Sequence, residues 1–152
     1  MIGPYILPQR LTGANYLIFL QEVLPKLLED VPLNLRRDMW FQHDGCPAHF
    51  SLAVRAYLTA VFGDRWIGRG GPVTWPPRSP DLTPLDFFLW GLIKDLVYAT
   101  PIESEEDLIA RIVEAVHQVR EMPGIFKRVR QSMLRRCELC RDVNGTNFEH
   151  LM

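Results

Sequence analysis

The sequence predicts an α/β fold built as one domain of 152 residues. Two observations lead to this fold class. Short runs of strand-forming residues alternate with segments in which apolar residues recur every three or four positions, as expected where helices pack on a sheet. The composition, 47% hydrophobic and 23% charged, is that of a globular chain able to bury a core without disulfide or metal crosslinks.

Three strands and two helices are predicted in the first half of the chain. In order, they are a strand over 2–7, a helix opening at 12–16, a strand over 38–43, a helix over 48–61 and a strand over 65–68. Pro8 is expected to stop the first strand, Pro32 the first helix and Gly63 the second helix. Each helix should bury one face. The repeating residues are Tyr16, Phe19, Leu20, Val23, Leu24, Leu27 and Leu28 in the first helix, and Leu52, Val54 or Arg55, Leu58 and Val61 in the second.

A proline-rich loop and three helices are predicted in the second half. Residues 70–84, GGPVTWPPRSPDLTP, hold too many prolines for a helix or a central strand. Residues 85–98 follow as a strongly apolar helix that should be buried on most sides. An amphipathic helix over 104–119 carries three acids in its first turn, where the helix dipole favours negative charge. A last helix over about 123–142 carries most of the basic charge.

Charge and cysteine content narrow the classes of protein. The net charge is −1, so binding to nucleic acid needs a local basic patch. Three cysteines, an odd number, argue against a disulfide framework and for a reducing compartment. Cys137 and Cys140 form one CxxC pair, but no second ligand pair stands at finger-like spacing. Two thiols on a helix are therefore favoured over a zinc site.

No segment is predicted to cross a membrane or to direct secretion. The longest apolar stretches, such as residues 16–20, are too short to span a bilayer. The N-terminal MIGPYILPQR lacks a basic region followed by an apolar core. An intracellular protein is expected.

Asp44 and Asp86 are the candidate metal ligands. Asp44 follows the predicted strand 38–43, and ligands of α/β sheets bind outside the carboxyl ends of the strands. Asp86 lies at the start of the apolar helix, behind a proline-stiffened loop, and two such carboxylates suit Mg²⁺. Local structure offers another explanation for each acid. Asp44 and the following glycine can form a turn, and residues 83–86, TPLD, are close to a capping box.

Three segments of the chain stand out as motifs: HDGCPAH at 43–49, WPPRSPDLTPLDFFLW at 75–90 and NGTNFEHL at 144–151. Together they resemble the catalytic region of mariner-type DNA transposases of the DDE/DDD superfamily. In that family an Asp ends a strand in a motif like HDNAPxH, and a segment like SPDLxPxDxxLF places a second Asp on a helix. The positions that match are Asp44 and Asp86, with 41 residues between them. Asp81 matches an acid that is structural in the family.

The resemblance implies a ribonuclease-H-like (retroviral-integrase-like) catalytic core with C-terminal helices. Residues 1–100 would form part of that core without its first strands, and 101–152 a C-terminal helical extension of the same domain. The resemblance also implies two Mg²⁺ or Mn²⁺ ions, hydrolysis of a phosphodiester at the element's end, and attack of the freed 3′-hydroxyl on target DNA. A nuclear protein that acts on DNA as a homodimer, with no membrane and no small-molecule substrate, is expected.

The chain departs from the family pattern in several places. Gly45 and Cys46 stand where relatives often have Asn and Ala, and the spacing of 41 is longer than in the better-known mariner branch. The family's first catalytic Asp lies on a strand before the segment that residues 3–7 resemble, and neither Asp30 nor Asp38 matches it. No segment matches the family's helix-turn-helix region. We therefore expect an N-terminally truncated catalytic fragment that is inactive, or nearly so, by itself.

The candidate DNA-binding residues lie mainly in the last helix. Residues 120–141 hold seven cationic and two acidic side chains, an excess that can neutralise phosphates. The candidates in that span are Lys127, Arg128, Arg130, Arg135 and Arg136. Arg65, Arg69 and Arg78 flank the proposed metal site, with Arg78 lining it. The alternative for the whole basic face is a solvated helix surface.

Two histidines frame the first acid. His43 is expected to line the site, and His49 to orient a metal-bound water or a neighbouring carboxylate. A packed, neutral histidine is the alternative for each. At the level of the whole chain, the alternatives are a non-catalytic DNA-binding or oligomerisation module derived from a transposase, and a decayed gene product with no function.

Overall fold

The computed structural model describes residues 1–76 and 79–152. These residues form two units, the first within Ile2–Pro77 and the second within Arg78–Met152. Helices dominate each unit, and the described part contains one two-stranded sheet, which belongs to the first unit. The strands are thus fewer and shorter than the sequence pattern predicts. The division into 1–100 and 101–152 stays a prediction.

Helix boundaries in the first unit follow local capping chemistry. The elements are α1 (Gly13–Ile18), a π-helical segment (Phe19–Val23), α2 (Leu24–Leu27), α3 (Leu33–Asp38), β1 (Phe41–Gln42), α4 (Leu52–Phe62) and β2 (Trp66–Ile67). Thr12 caps α1, because its hydroxyl accepts a hydrogen bond from the Asn15 N–H at 3.2 Å. Ser51 caps α4 through the Val54 N–H at 3.3 Å. Both predicted helices of this half are therefore confirmed.

A strand–helix–strand unit is the centre of the first unit. β1 and β2 pair in parallel with Phe41 opposite Trp66, and α4 makes the crossover that a parallel pair requires. The pairing extends by one bond beyond β1, because the His43 N–H donates to the Ile67 carbonyl at 3.0 Å. Two of the three predicted strands are thus present within their predicted ranges, although each is only two residues long.

The core of the first unit is formed mainly by α1, α4 and β2. Its buried side chains are Tyr16, Leu20, Val54, Leu58, Phe62 and Trp66. On α4 the buried residues Val54, Leu58 and Phe62 follow one another at four-residue intervals and so share a face. Leu52 and Val61, predicted to contribute to that face, are 75% and 50% exposed. The sequence pattern thus predicts the position of the helix correctly, but two of the residues assigned to its buried face point towards solvent.

Two other predictions for the first unit are wrong. Residues 2–7 form no strand, since Pro4 has no N–H for a ladder and Ile6 is half exposed. The strand predicted over 38–43 begins later, because Asp38 is the last residue of helix α3.

The second unit is helical throughout its regular elements. These are a 3₁₀ turn (Pro80–Leu82), a π-helical segment (Leu85–Leu89), α5 (Trp90–Val97), α6 (Glu105–Glu121), α7 (Ile125–Asp142) and a C-terminal 3₁₀ turn (Glu149–Leu151). Ser104 caps α6 by accepting a hydrogen bond from the Asp107 N–H at 3.0 Å. The three helices predicted in this half are confirmed.

Helices α5 and α6 pack on each other around a small apolar core. Ile93, Val97, Ala115 and Val116 are its buried members. Trp90 is 47% exposed, so the prediction that the apolar helix is buried on most sides is wrong. Burial is confined to the face that meets α6.

Arg111 joins α6 to the segment that follows α5. Its guanidinium donates hydrogen bonds to the carbonyls of Thr100 at 2.8 Å and Pro101 at 2.9 Å, and to Asp107 Oδ1 at 2.8 Å. It also donates to the carbonyl of Val97, the last residue of α5, at 3.3 Å, and so satisfies an acceptor that the helix end leaves open.

The described helices also bear on the membrane expectation. Across residues 1–76 and 79–152, no helix combines the length and the apolar character needed to cross a bilayer.

Candidate functional site

Asp44 leaves the sheet directly after the last bond between β1 and β2. Its Oδ1 atom accepts a hydrogen bond from the Cys46 N–H at 3.0 Å, which closes a turn of the kind Asp side chains favour. The turn interpretation of this position is therefore confirmed. The side chain remains 53% exposed, so the carboxylate still faces solvent.

His49 returns to Asp44 at the end of that turn. The His49 N–H donates to the Cys46 carbonyl at 2.9 Å, and the ring Nδ1 lies 2.7 Å from Asp44 Oδ1. An ionised carboxylate can only accept, so Nδ1 carries the proton and donates it. The six residues 44–49 therefore place an acid, a thiol and an imidazole on one short turn.

His43 lies beneath this turn and is neutral at pH 7. Burial, aided by the neighbouring His49, lowers the pKa of His43 to about 4, and Asp44 opposes this only in part. The Tyr16 hydroxyl lies 3.3 Å from its Nδ1, and its Nε2 is buried without a partner among the described residues. The ring lies beside Gly68, where an added Cβ would collide with its Cδ2 and Nε2 atoms.

Tyr16 reaches the same place from α1. Its ring centroid lies 4.2 Å from that of His49. Burial, followed by the charge of Asp44, raises the pKa of the Tyr16 hydroxyl, so the group keeps its proton. Sequence inspection placed Tyr16 in a buried helical face and did not connect it with the motif at 43–49.

Cys46 is the functional candidate that sequence inspection missed. One ligand atom from each of Asp44, Cys46 and His49 lies within 4.8 Å of the other two, and this is the only such three-residue group among the described residues. The signal is the sequence D-x-C-x-x-H itself, in which Cys46 is also a departure from the family motif.

Asp86 belongs to the second unit, whereas Asp44 belongs to the first. Asp86 is exposed on the π-helical segment, and its N–H donates to the Thr83 carbonyl at 2.9 Å. The Thr83 hydroxyl is buried and accepts no bond from the described residues, and no side chain caps this segment. The capping-box explanation for Asp86 is therefore wrong.

Asp81 and Arg136 form a contact inside the second unit. The Arg136 guanidinium stacks over the Phe87 ring at 4.3 Å, donates to the Asp81 carbonyl at 3.3 Å and lies 4.0 Å from its carboxylate. Only 14% of the Arg136 side chain is exposed. This geometry connects α7 to the turn before the π-helical segment.

The other candidate cations are distributed over both units. Lys127, Arg128, Arg130 and Arg135 are exposed on α7, and Arg65 is exposed just before β2. Arg69 lies over the Phe50 ring at 4.1 Å, and Arg55 lies over the same ring at 4.6 Å. Arg78 lies outside the described residues.

Comparison with known proteins places a transposase among the relatives of this chain. The chain is similar to the Transposable element Tc3 transposase of Caenorhabditis elegans, with 31% identity over 90 residues. The match covers 59% of this chain and 24% of that protein, so the chain spans about a quarter of the relative's length. No protein-family profile matches the chain. No solved structure is significantly similar to it. The match supports a relationship to transposases of the Tc1/mariner type.

Proposed function

We propose that this chain is part of the catalytic domain of a DNA transposase of the mariner branch, with a ribonuclease-H-like core in which Asp44 and Asp86 are metal ligands. The similarity to the Tc3 transposase is the observation that carries the proposal. The motifs at 43–49 and 75–90 name the two acids, and Asp44 follows a strand as the resemblance requires.

The donor atoms suit a hard divalent cation. Both described hydrogen bonds to the Asp44 carboxylate end at Oδ1, which leaves Oδ2 for a ligand. Asp86 is likewise an exposed carboxylate. Oxygen donors of this kind are the ligands of Mg²⁺ and Mn²⁺. Such ions, when bound, supply the Lewis acidity that activates water and stabilises the leaving oxygen of a phosphodiester.

The chain's own residues prepare Asp44 for this role. The Cys46 N–H and His49 Nδ1–H hold Oδ1 in place, so the carboxylate is oriented before any cation arrives. His43, next to it in sequence, stays uncharged because burial lowers its pKa. A neutral ring avoids the repulsion that an imidazolium would exert on a cation.

We propose little or no nuclease activity for the 152 residues alone. The resemblance implies three carboxylates, and two acids of this chain match its motifs. Purified protein should therefore fail to nick supercoiled plasmid with Mg²⁺ or Mn²⁺. Nicking that requires metal and disappears in Asp44→Ala would overturn this part of the proposal.

Metal binding tests the proposed site without requiring turnover. Binding removes the electron paramagnetic resonance signal of free Mn²⁺, so titration of the protein should reduce that signal. Asp44→Asn and Asp86→Asn should each weaken binding at least tenfold, whereas Asp95→Asn, an exposed acid on α5, should leave it unchanged. Equal binding by all four proteins would contradict the assignment of the two ligands.

A non-catalytic DNA-binding module is the second candidate function. The exposed cations of α7 favour it, since Lys127, Arg128, Arg130 and Arg135 need no metal to meet phosphates. Under this proposal the chain binds duplex DNA in the presence of a chelator, and Asp86→Ala binds as well as the wild type. No binding at low salt would eliminate it. Under the first proposal, by contrast, the intact transposase acts on DNA in the nucleus as a homodimer.

A further inference from the structure

The turn 44–49 carries a donor set that magnesium chemistry does not use. Asp44 offers an oxygen, Cys46 a sulfur and His49 a nitrogen, with these ligand atoms within 4.8 Å of one another. Mg²⁺ takes oxygen ligands, whereas a thiolate with an imidazole and a carboxylate is a set that Zn²⁺ accepts. Cys46 therefore changes the metal preference of this turn.

The separations are close to those of a bound zinc ion. Ligand bonds of about 2.0–2.3 Å place neighbouring donors of a tetrahedral site roughly 3.3–3.6 Å apart. Asp44 Oδ1 and His49 Nδ1 lie 2.7 Å apart, and the whole set lies within 4.8 Å. Closure then needs displacements of about 1 Å. Gly45, between two of the ligands, has no atom within 4 Å of an added Cβ, so the turn has space to adjust.

The rings of His43 and Tyr16 pack against the imidazole of His49. His43 stacks on His49 with the planes 4° from parallel, and Tyr16 contacts the His49 ring at a centroid distance of 4.2 Å. These contacts on the ring restrict its rotation and so keep Nδ1 directed towards Asp44. Asp44 and Cys46 stand on the solvent side, exposed and partly exposed respectively, so an ion can enter.

We propose that Asp44, Cys46 and His49 bind one Zn²⁺ ion. Zinc bound there competes with Mg²⁺ or Mn²⁺ for the Asp44 carboxylate. Binding through His49 Nδ1 moves the imidazole proton to Nε2 and releases the Cys46 thiol proton to solvent. Three protein ligands leave a fourth position for water. The site shares Asp44 with the proposed magnesium site, but its formation does not depend on that proposal.

The chain contains its own control for thiol chemistry. Cys137 and Cys140 form the only CxxC pair of the sequence and lie on α7. Among the described residues no acid or histidine joins them in a three-ligand group. A cysteine-dependent metal signal can therefore be assigned to one location or the other by substitution.

Cobalt substitution tests the site. Co²⁺ bound by a thiolate gives an intense near-ultraviolet charge-transfer band, and Zn²⁺ should abolish it by displacement. The wild type and the double variant Cys137→Ser/Cys140→Ser should both show the band, whereas Cys46→Ser should lose it and His49→Gln should weaken Co²⁺ binding at least tenfold. A band that survives Cys46→Ser, or that is absent from the wild type, would overturn the proposal.

Thermal unfolding supplies a second readout and controls for folding. Zn²⁺ should raise the Tm of the wild type and of the α7 double variant, because it binds only the folded turn, and it should leave the Tm of Cys46→Ser unchanged. Asp86→Asn should retain the cobalt band while losing Mn²⁺ affinity. The zinc site and the proposed function can thus fail separately.

Discussion

The rings of His43 and His49 stack with centroids 4.9 Å apart and planes 4° from parallel. His43 is the buried member, and His49 is the member that contacts the Asp44 carboxylate. The stack therefore packs His49 against the buried core, and His49 in turn holds the solvent-exposed carboxylate of Asp44.

The two roles of His49 can be separated by substitution. His49→Phe should keep the stack and lose the bond to Asp44, whereas His49→Ala should lose both. Since aromatic pairs contribute about 0.5–1.5 kcal/mol, the alanine variant should be less stable than the phenylalanine variant by about 1 kcal/mol. Urea unfolding measures the difference. Neither variant should bind Co²⁺ as the wild type does. Equal stability of the two variants would show that the stack contributes nothing.

Gly68 supports the buried histidine. In Gly68→Ala the new Cβ would overlap the His43 ring, so we expect the free energy of unfolding to fall by about 1–3 kcal/mol. The matched control is Gly91→Ala on α5, where nothing lies within 4 Å of the added carbon. That variant should gain about 0.5–1 kcal/mol through helix propensity. The Tm of each variant reports the effect, and a loss of similar size in both would contradict the packing argument.

We expect Asp107 to make a contribution to the stability of the second unit that is lost in acid. The Arg111 side chain, followed by the Glu103 N–H, lowers the pKa of the Asp107 carboxyl from its usual 3.8. A depressed folded-state pKa stabilises the fold above the unfolded pKa, and this stabilisation is lost as the pH falls through the folded value. Asp107→Asn should therefore be less stable than the wild type at neutral pH. The difference should shrink below about pH 4, as followed by urea unfolding across that range; a constant difference would rule out titration as the cause.

Arg135 and Arg136 are adjacent in sequence, but the Arg135 side chain is exposed and the Arg136 side chain is largely buried. Arg136→Ala removes the contacts to Asp81 and Phe87, so we expect the free energy of unfolding to fall by about 1–3 kcal/mol. Arg135→Ala should stay within about 0.5 kcal/mol of the wild type, because the side chain is exposed. Urea unfolding distinguishes the two.

Arg135→Ala also tests the basic face of α7 for DNA binding. Arg135→Ala should weaken binding to duplex DNA and lower the slope of log affinity against log salt by about one unit. Fluorescence anisotropy at several salt concentrations measures this slope. An unchanged slope in Arg135→Ala would mean that this residue contacts no phosphate.

The helices were predictable because their determinants are local. Ser104 followed by acids, and apolar residues at intervals of three and four, defined α6 without reference to the rest of the chain. The strand over 2–7 was predicted wrongly because its apolar side chains outweighed the effect of Pro4. The short helix α3 is not predicted, because its six residues, LNLRRD, are too few to show an apolar period.

The site was predictable only where its contacts are short in sequence. The turn at Asp44 depends on a bond to Cys46, two residues away. The contact of Tyr16 with His43 joins residues 27 positions apart, and no local pattern indicates it. Burial of Arg136 against Phe87 joins residues 49 positions apart, and nothing in the local sequence distinguishes Arg136 from the neighbouring Arg135.

Asp86 lies in sequence between the two residues that Arg136 grips, Asp81 and Phe87. Arg136 therefore connects α7, the helix with most of the positive charge, to residues on both sides of Asp86. A pull on α7, such as that of a polyanion on its cations, would pass through Arg136 to the residues on both sides of this carboxylate. Loss of the Arg136 side chain would break this connection, so that tension on α7 would no longer reach the segment that carries Asp86.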